Sequence, residues 1–141
     1  MKALVIDDVV PIQNMLKKML LAAGVDEVVT AATGEAGLLL LATGDIDLLL
    51  LDIHLPDMSG LDVLKKIRER NSTLYVAVAT GFEEPETVQE IIRLGANHYI
   101  VKPVKRSEVK LVVEEAARSH VSVVVPVGAQ ILKGVRIATP P

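Results

Sequence analysis

Short runs of aliphatic residues alternate along this chain with longer amphipathic segments. The aliphatic runs predict five buried strands, at residues 3–6, 28–31, 48–51, 74–79 and 99–101. Between them, apolar residues recur three and four apart, which predicts helices between 11 and 24, over 35–42, 60–69 and 84–94, and beyond 107. Five βα units in this order indicate an α/β fold, a doubly wound five-stranded parallel sheet with helices on both faces.

Single residues mark several helix ends. Pro11 suits a first turn, Gly24 suits a C-terminal stop, and Ser107 is a candidate N-cap for the last helix. The second helix contains GLLLLA, which is apolar on more than one face. Those leucines predict either surplus apolar filler or an exposed patch that meets a partner, a second copy or the chain's own tail.

Composition narrows the class of protein. The chain has 141 residues, which suits one compact domain, and it has no cysteine, which excludes disulfides and thiolate metal sites. Its formal net charge of −3 provides no basic field, so direct nucleic-acid binding is not expected. Its apolar runs are far too short for a signal peptide or a membrane span. We therefore expect a cytoplasmic protein without membrane insertion.

Polar residues follow the aliphatic runs at the ends where parallel sheets bind ligands. Asp7 and Asp8 follow the first strand, Asp52 the third, Thr80 the fourth and Lys102 the fifth. Carboxylates brought so close repel one another unless a cation neutralises them, and oxygen ligands suit Mg²⁺ or Mn²⁺. Together with an ammonium and a hydroxyl group, such an ion makes a receptacle for a phosphoryl group that a carboxylate can attack.

The first βα turn disfavours a nucleotide cofactor. A dinucleotide-binding turn needs glycines, whereas this turn reads IDDVVP, and its two carboxylates would repel a phosphate. The sequence also lacks a Walker A motif. A flavodoxin-like cofactor carrier on the same sheet is therefore the least favoured class.

Four motifs in order resemble the receiver domain of two-component response regulators. They are VIDD at 5–8, LLLLDIHLPDMSGLD at 48–62, VAVATG at 76–81 and YIVKP at 99–103. The resemblance covers residues 1–120 and implies a flavodoxin-like (βα)₅ fold with strand order 2-1-3-4-5. It also implies a signalling switch rather than an enzyme, one that catalyses only its own phosphoryl transfer and hydrolysis.

The resemblance also implies a role for each matching residue. Asp52 corresponds to the phosphoacceptor, and Thr80 and Tyr99 to the pair of residues that move on phosphorylation. The remaining correspondences are Asp7, Asp8, Asp52 and the backbone carbonyl of His54 for Mg²⁺, Lys102 for the phosphoryl oxygens, Pro103 for a cis-proline, and Pro56 and Gly60 for the loop after the acceptor.

Two side chains beside the acceptor have alternative interpretations. His54 and Phe82 either flank the path of the attacking water and set the lifetime of the phosphoryl group, or, for Phe82, only cover the rim of the site. Side-chain metal binding by His54 is disfavoured, because the corresponding family residue contributes its backbone. His98 and His120 have no partner at a useful spacing and are expected at the surface.

The expected partners are a sensor histidine kinase or phosphotransfer protein, and a downstream protein target or a second copy in a homodimer. The alternative is a receiver-like interaction module that acts without phosphorylation. Residues 121–141 lie outside the resemblance and form an apolar extension too short for an output domain. They are expected to be an arm that pairs with another subunit, a strand on their own domain, or the beginning of a linker.

Overall fold

A computed structural model describes residues 1–70 and 73–119 of the chain. Strands and helices alternate along these residues. The strands are β1 (Lys2–Ile6), β2 (Glu27–Ala31), β3 (Leu48–Leu51), β4 (Tyr75–Thr80) and β5 (His98–Val101). The helices are α1 (Val10–Ala22), α2 (Gly34–Leu41), α3 (Gly60–Arg70), α4 (Pro85–Arg93) and α5 (Arg106–Ser119). The prediction for residues 121–141 lies outside the described residues.

The five strands form one parallel sheet in the order β2-β1-β3-β4-β5. This order confirms the doubly wound fold. The topological switch point, where successive strands begin to be added on the other side of β1, lies between β1 and β3. Ligands in open α/β sheets bind beyond the carboxyl ends of the strands near such a point.

Side chains alternate between the two faces of the sheet, and two separate cores result. Along β3, Leu48 and Leu50 pack with residues of α1 and α5, whereas Leu49 and Leu51 pack with residues of α2, α3 and α4. All four leucines are at most 1% exposed. Burial on both faces explains why this strand is a continuous aliphatic run.

Some local predictions are confirmed and others are wrong. Pro11 lies in the first turn of α1, and Gly24 follows that helix with a φ of 103°, which favours glycine. Ser107 is not the N-cap of α5, because the helix already begins at Arg106. Instead, the carbonyl of Lys105 accepts from the amides of Glu108 and Val109, and the Glu108 carboxylate accepts from the amide of Lys105.

The prediction that His98 lies at the surface is wrong. It occupies the first position of β5 and is 1% exposed, and neither ring nitrogen has a hydrogen-bond partner among the described residues. Burial lowers its pKa, and the charges of Glu115 and Glu108 oppose that shift. Period-two alternation along β5 buries both His98 and Ile100, which outweighs the polarity of the imidazole. His120 lies outside the described residues.

The leucine-rich second helix does expose apolar surface. Leu39 is 69% exposed, and Leu38 and Leu41 line a groove of about 420 Å³ between α2 and α3. Within the described part of the chain, no helix has the length and apolar character needed to cross a bilayer.

Candidate functional site

The sheet carries its hydrogen-bond ladder one residue beyond three of its strands, and this positions the polar side chains. The amide of Asp7 donates to the carbonyl of Ala31, 3.0 Å away, and the amide of Asp52 donates to that of Ile6, 2.9 Å away. The amide of Lys102 donates to the carbonyl of Thr80, 2.7 Å away. Because β1 and β3 are neighbours, Asp7 and Asp52 lie side by side at the same edge.

Three carboxylates converge at this edge. Asp7, Asp8 and Asp52 each offer one oxygen, and these oxygens lie within 4.8 Å of one another. Asp7 and Asp52 are buried, at 1% and 7% exposure, whereas Asp8 is exposed to solvent. An oxygen-only set with one open side suits a hard divalent cation that keeps some of its water. These residues therefore fit Mg²⁺ or Mn²⁺.

Lys102 reaches the same cluster from the end of β5. Its Nζ lies 2.6 Å from Oδ2 of Asp7 and 2.9 Å from Oδ2 of Asp52. Burial lowers the pKa of Lys102, but the hydrogen bonds and charges of these two carboxylates outweigh burial, and the pKa is raised overall. The side chain is therefore a permanent ammonium group between the two buried carboxylates.

Backbone amides donate to the carboxylate oxygens of Asp7 and Asp52 that Lys102 does not contact. The amide of Val9 donates to Oδ1 of Asp7 at 2.9 Å, and the amide of His54 donates to Oδ1 of Asp52 at 3.1 Å. The side chain of Gln13, on α1, donates to the backbone carbonyl of Asp7 at 2.6 Å. Both buried carboxylates are thus held at both oxygens, so their orientation is set before any ligand arrives.

The loop after Asp52 is held from two sides. A Cβ atom at Gly60 would collide with the carbonyl oxygen of Asp52 and lie 2.7 Å from Cα of Ile53, so only glycine fits this close approach. The Asp57 carboxylate accepts from the amides of Gly34 and Glu35, both at 2.9 Å, at the start of α2. These backbone bonds lower the pKa of Asp57.

Thr80 lies next to the cluster, but its hydroxyl group has a different partner. The residue is fully buried, and Oγ1 donates to Oε1 of Glu83 at 3.3 Å. The same oxygen of Glu83 lies 2.5 Å from Nε2 of His54, which comes from the loop after β3. The sequence does not single out Glu83, because a glutamate between Phe82 and Glu84 has no distinguishing spacing or neighbour.

The other predicted site residues lie around this centre. Tyr99 is half-buried on β5; burial and the charge of Glu83 raise its pKa, while a hydrogen bond with the Glu83 backbone opposes the shift. The peptide bond between Lys102 and Pro103 is cis. Phe82 is 79% exposed, and the His54 side chain is 71% exposed.

The structure therefore brings together Asp7, Asp8, Asp52 and Lys102 through their side chains. It places Thr80 at the end of the neighbouring strand β4, where its hydroxyl group donates to Glu83 and not to Asp52. The His54 amide contacts Asp52, while a ligand role for its carbonyl stays a prediction, as do the roles of His54 and Phe82 in phosphoryl lifetime.

Comparison with known proteins agrees with this geometry. The sequence profile of the response regulator receiver domain matches residues 3–114. The chain is 33% identical over 115 residues to the regulatory protein AtoC of Escherichia coli, covering 82% of this chain and 25% of AtoC. It is 29% identical over 108 residues to the chemotaxis protein CheY of Thermotoga maritima, covering 77% of this chain and 90% of CheY.

Solved structures share the fold. A CheY-like receiver domain protein from Methanospirillum hungatei superimposes with a TM-score of 0.77 at 28% identity, covering 84% of this chain and 94% of that protein. The chain spans only a quarter of AtoC and about half of some other curated relatives it matches. The acidic cluster, the lysine that bridges it and the matched profile lead to one conclusion: the chain belongs to the response regulator receiver domain family.

Proposed function

We propose that this chain is a phosphorylation-controlled signalling switch that accepts a phosphoryl group on Asp52 from a histidine kinase or phosphotransfer protein. The observation that carries the proposal is the position of Asp52, a buried carboxylate that accepts from the Lys102 ammonium and lies within 4.8 Å of the acidic pair Asp7 and Asp8. We assign the switch to residues 1–120 and treat residues 121–141 as an extension.

In the forward step, an oxygen of the Asp52 carboxylate attacks phosphorus. The bond from phosphorus to the imidazole nitrogen of the donor breaks, and that nitrogen keeps the electron pair. Lys102 bonds the phosphoryl oxygens and screens the charge that develops on them. Mg²⁺, or Mn²⁺, held by Asp7, Asp8, Asp52 and the His54 carbonyl, would neutralise further negative charge when bound.

In the second step, hydrolysis, water attacks phosphorus on the side opposite Asp52 and gives up a proton. The bond between phosphorus and the carboxylate oxygen breaks, which restores the Asp52 carboxylate and releases inorganic phosphate. His54 and Phe82 lie exposed on the loops beside the acceptor, a position from which they can restrict this water. The chain catalyses only these steps on itself, so we class it as a signalling protein and not as an enzyme.

The change at the protein surface follows from the negative charge of the phosphoryl group on Asp52. Phosphorylation replaces the single negative charge of the Asp52 carboxylate by the charge of about −2 of an acyl phosphate, a net gain of about one negative charge at a site that is already acidic. Thr80 then moves toward the new oxygens to bond them. Tyr99 then turns into the space that Thr80 leaves, which changes the surface of α4, β5 and α5. Val101 and Leu111 expose apolar side chains on β5 and α5, as a docking surface for a target or a second copy requires.

The alternative is an interaction module that acts without phosphorylation. The complete set of Asp7, Asp8, Asp52, Thr80 and Lys102 favours the switch, because a module without phosphoryl chemistry has no use for two buried carboxylates beside a third. Beryllofluoride with Mg²⁺, which mimics an acyl phosphate, distinguishes the two. A switch gives a saturable NMR change that is lost in Asp52→Asn; an equal response of Asp52→Asn would contradict phosphoacceptance.

A further inference from the structure

A carboxylate that lies outside the acidic cluster joins two residues of the proposed switch. Glu83 follows β4 in a surface loop, yet its side chain is only 10% exposed, whereas its neighbours Phe82 and Glu84 are exposed. A carboxylate that is largely shielded from water needs partners, and Oε1 of Glu83 has both Nε2 of His54 at 2.5 Å and Oγ1 of Thr80 at 3.3 Å.

From these contacts we infer that Glu83 is a positioning residue that holds Thr80 and His54 in their unphosphorylated arrangement. Glu83 must release Thr80 before Thr80 can donate its hydrogen bond to a phosphoryl group on Asp52. The inference rests on the proposed function, since it assigns a task only if Asp52 is phosphorylated.

The Thr80 hydroxyl group carries a single proton, and this limits its bonds. A threonine hydroxyl group donates one hydrogen bond, and in this structure Thr80 donates it to Glu83. It cannot donate that proton to a phosphoryl oxygen at the same time. Glu83 and the phosphoryl group therefore compete for Thr80, and the outcome of that competition sets how readily the switch turns on.

Repulsion between the phosphoryl group and the Glu83 carboxylate also favours release of Thr80. Thr80 and Asp52 lie at the ends of the neighbouring strands β4 and β3, so a phosphoryl group on Asp52 brings negative charge close to the Glu83 carboxylate. Repulsion then favours departure of Glu83 from Thr80 once the acceptor is modified. A shallow open hollow beside Glu83 and His54, lined also by Met58 and Thr87, gives the carboxylate a path to water.

Glu83 is also linked to Tyr99. Burial raises the pKa of Tyr99, the charge of Glu83 raises it further, and a hydrogen bond with the Glu83 backbone lowers it. Glu83 therefore lies near Tyr99 as well as near Thr80 and His54.

The test is a beryllofluoride titration of the full chain with Mg²⁺ present, followed by the amide NMR signals of Thr80 and Tyr99. Glu83→Gln keeps the shape of the side chain and removes its charge, and it should raise the apparent affinity roughly fivefold, as expected for weakening one charge-assisted hydrogen bond. Without beryllofluoride, the two signals should already lie part of the way toward their bound positions.

Glu84→Gln is the matched control. It removes the same charge one residue further on, from an exposed side chain that makes no capping hydrogen bond at the described start of α4. Its affinity should stay within about twofold of the wild type, since exposed charges interact weakly. In a Thr80→Val background, the gain from Glu83→Gln should fall to about twofold or less, because only the repulsion between charges is then removed and no hydroxyl group is left to compete for.

Three results would overturn the inference about Glu83. It is wrong if Glu83→Gln binds beryllofluoride like the wild type, if Glu84→Gln gains as much, or if the full fivefold gain persists in the Thr80→Val background. Glu83→Ala supplies the same comparison should the glutamine variant fold poorly. A wild-type chain that shows no beryllofluoride response, or one that Asp52→Asn shares, is a separate result. It would overturn the proposed function together with the role of Glu83.

Discussion

The ammonium group of Lys102 lies 2.9 Å from Oδ2 of Asp52, although the two residues are 50 positions apart in the chain. It also bonds Asp7, so one cation stabilises two buried carboxylates. This contact gives Lys102 a structural task in the unphosphorylated chain as well as a task in phosphoryl binding. The two tasks can be separated by experiment.

Lys102→Met should lower the free energy of unfolding by about 3 kcal/mol without Mg²⁺, because it leaves Asp7 and Asp52 buried without their cation. Added Mg²⁺ should recover part of the loss. Urea denaturation with and without Mg²⁺ measures both effects. Lys110→Met, at an exposed position of α5, is the control and should change neither value. Equal stability of the two variants would contradict the structural task of Lys102.

Asp8→Asn should weaken Mg²⁺ binding about tenfold or more without lowering stability. Asp8 is exposed, so its carboxylate adds repulsion to the cluster without filling space in a core. Titration with Mg²⁺ followed by NMR gives the affinity, and urea denaturation gives the stability. Asp62→Asn, on the exposed side of α3, should leave the affinity unchanged. Unaltered Mg²⁺ binding by Asp8→Asn would remove Asp8 from the ligand set.

Gly60→Ala should lower the free energy of unfolding by about 1–3 kcal/mol, because the added Cβ displaces the backbone of Asp52 and Ile53. The same displacement should weaken the response to beryllofluoride. Gly81→Ala is the matched control: a Cβ there meets no atom of the described residues within 4 Å, and its φ is not positive. A Gly60→Ala protein as stable and as responsive as Gly81→Ala would show that the close approach is unimportant.

Stability should depend on pH through His98. Burial lowers its pKa in the folded chain from the ordinary 6.5, so below pH 6.5 the unfolded chain binds a proton that the folded chain does not. The contribution of His98 to the free energy of unfolding should therefore be fully present above pH 6.5 and fall as the pH drops below it. His98→Val should flatten this dependence in urea denaturation between about pH 7 and pH 5. An unchanged slope would mean that His98 does not titrate there.

Sequence patterns are sufficient where one strong physical rule acts alone. The LLLL run of β3 lies between two aspartates and has the length of a buried strand, which favours burial on both faces and fixes Asp52 at the end of the strand next to β1. Parallel pairing then brings Asp7 to the same edge. The acidic cluster and Lys102 are therefore predictable from the amino-acid sequence alone.

Other features depend on contacts that no local pattern encodes. Glu83 and Glu84 are alike in sequence, and only the fold shields most of the first side chain beside His54 and Thr80 and leaves the second exposed. The polarity of His98 predicts a surface position, but the alternation of β5 decides its burial. The cap of α5 depends on Glu108, which reaches back to the amide of Lys105.

The most direct test of the central claim is mass spectrometry of the full chain after treatment with acetyl phosphate and Mg²⁺. We expect the wild type to gain the mass of one phosphoryl group, a peptide containing Asp52 to carry it, and the added mass to be absent when Mg²⁺ is chelated. Asp52→Asn should gain nothing. A wild-type chain that stays unmodified, or an Asp52→Asn chain that gains the same mass, would contradict Asp52 as the phosphoacceptor.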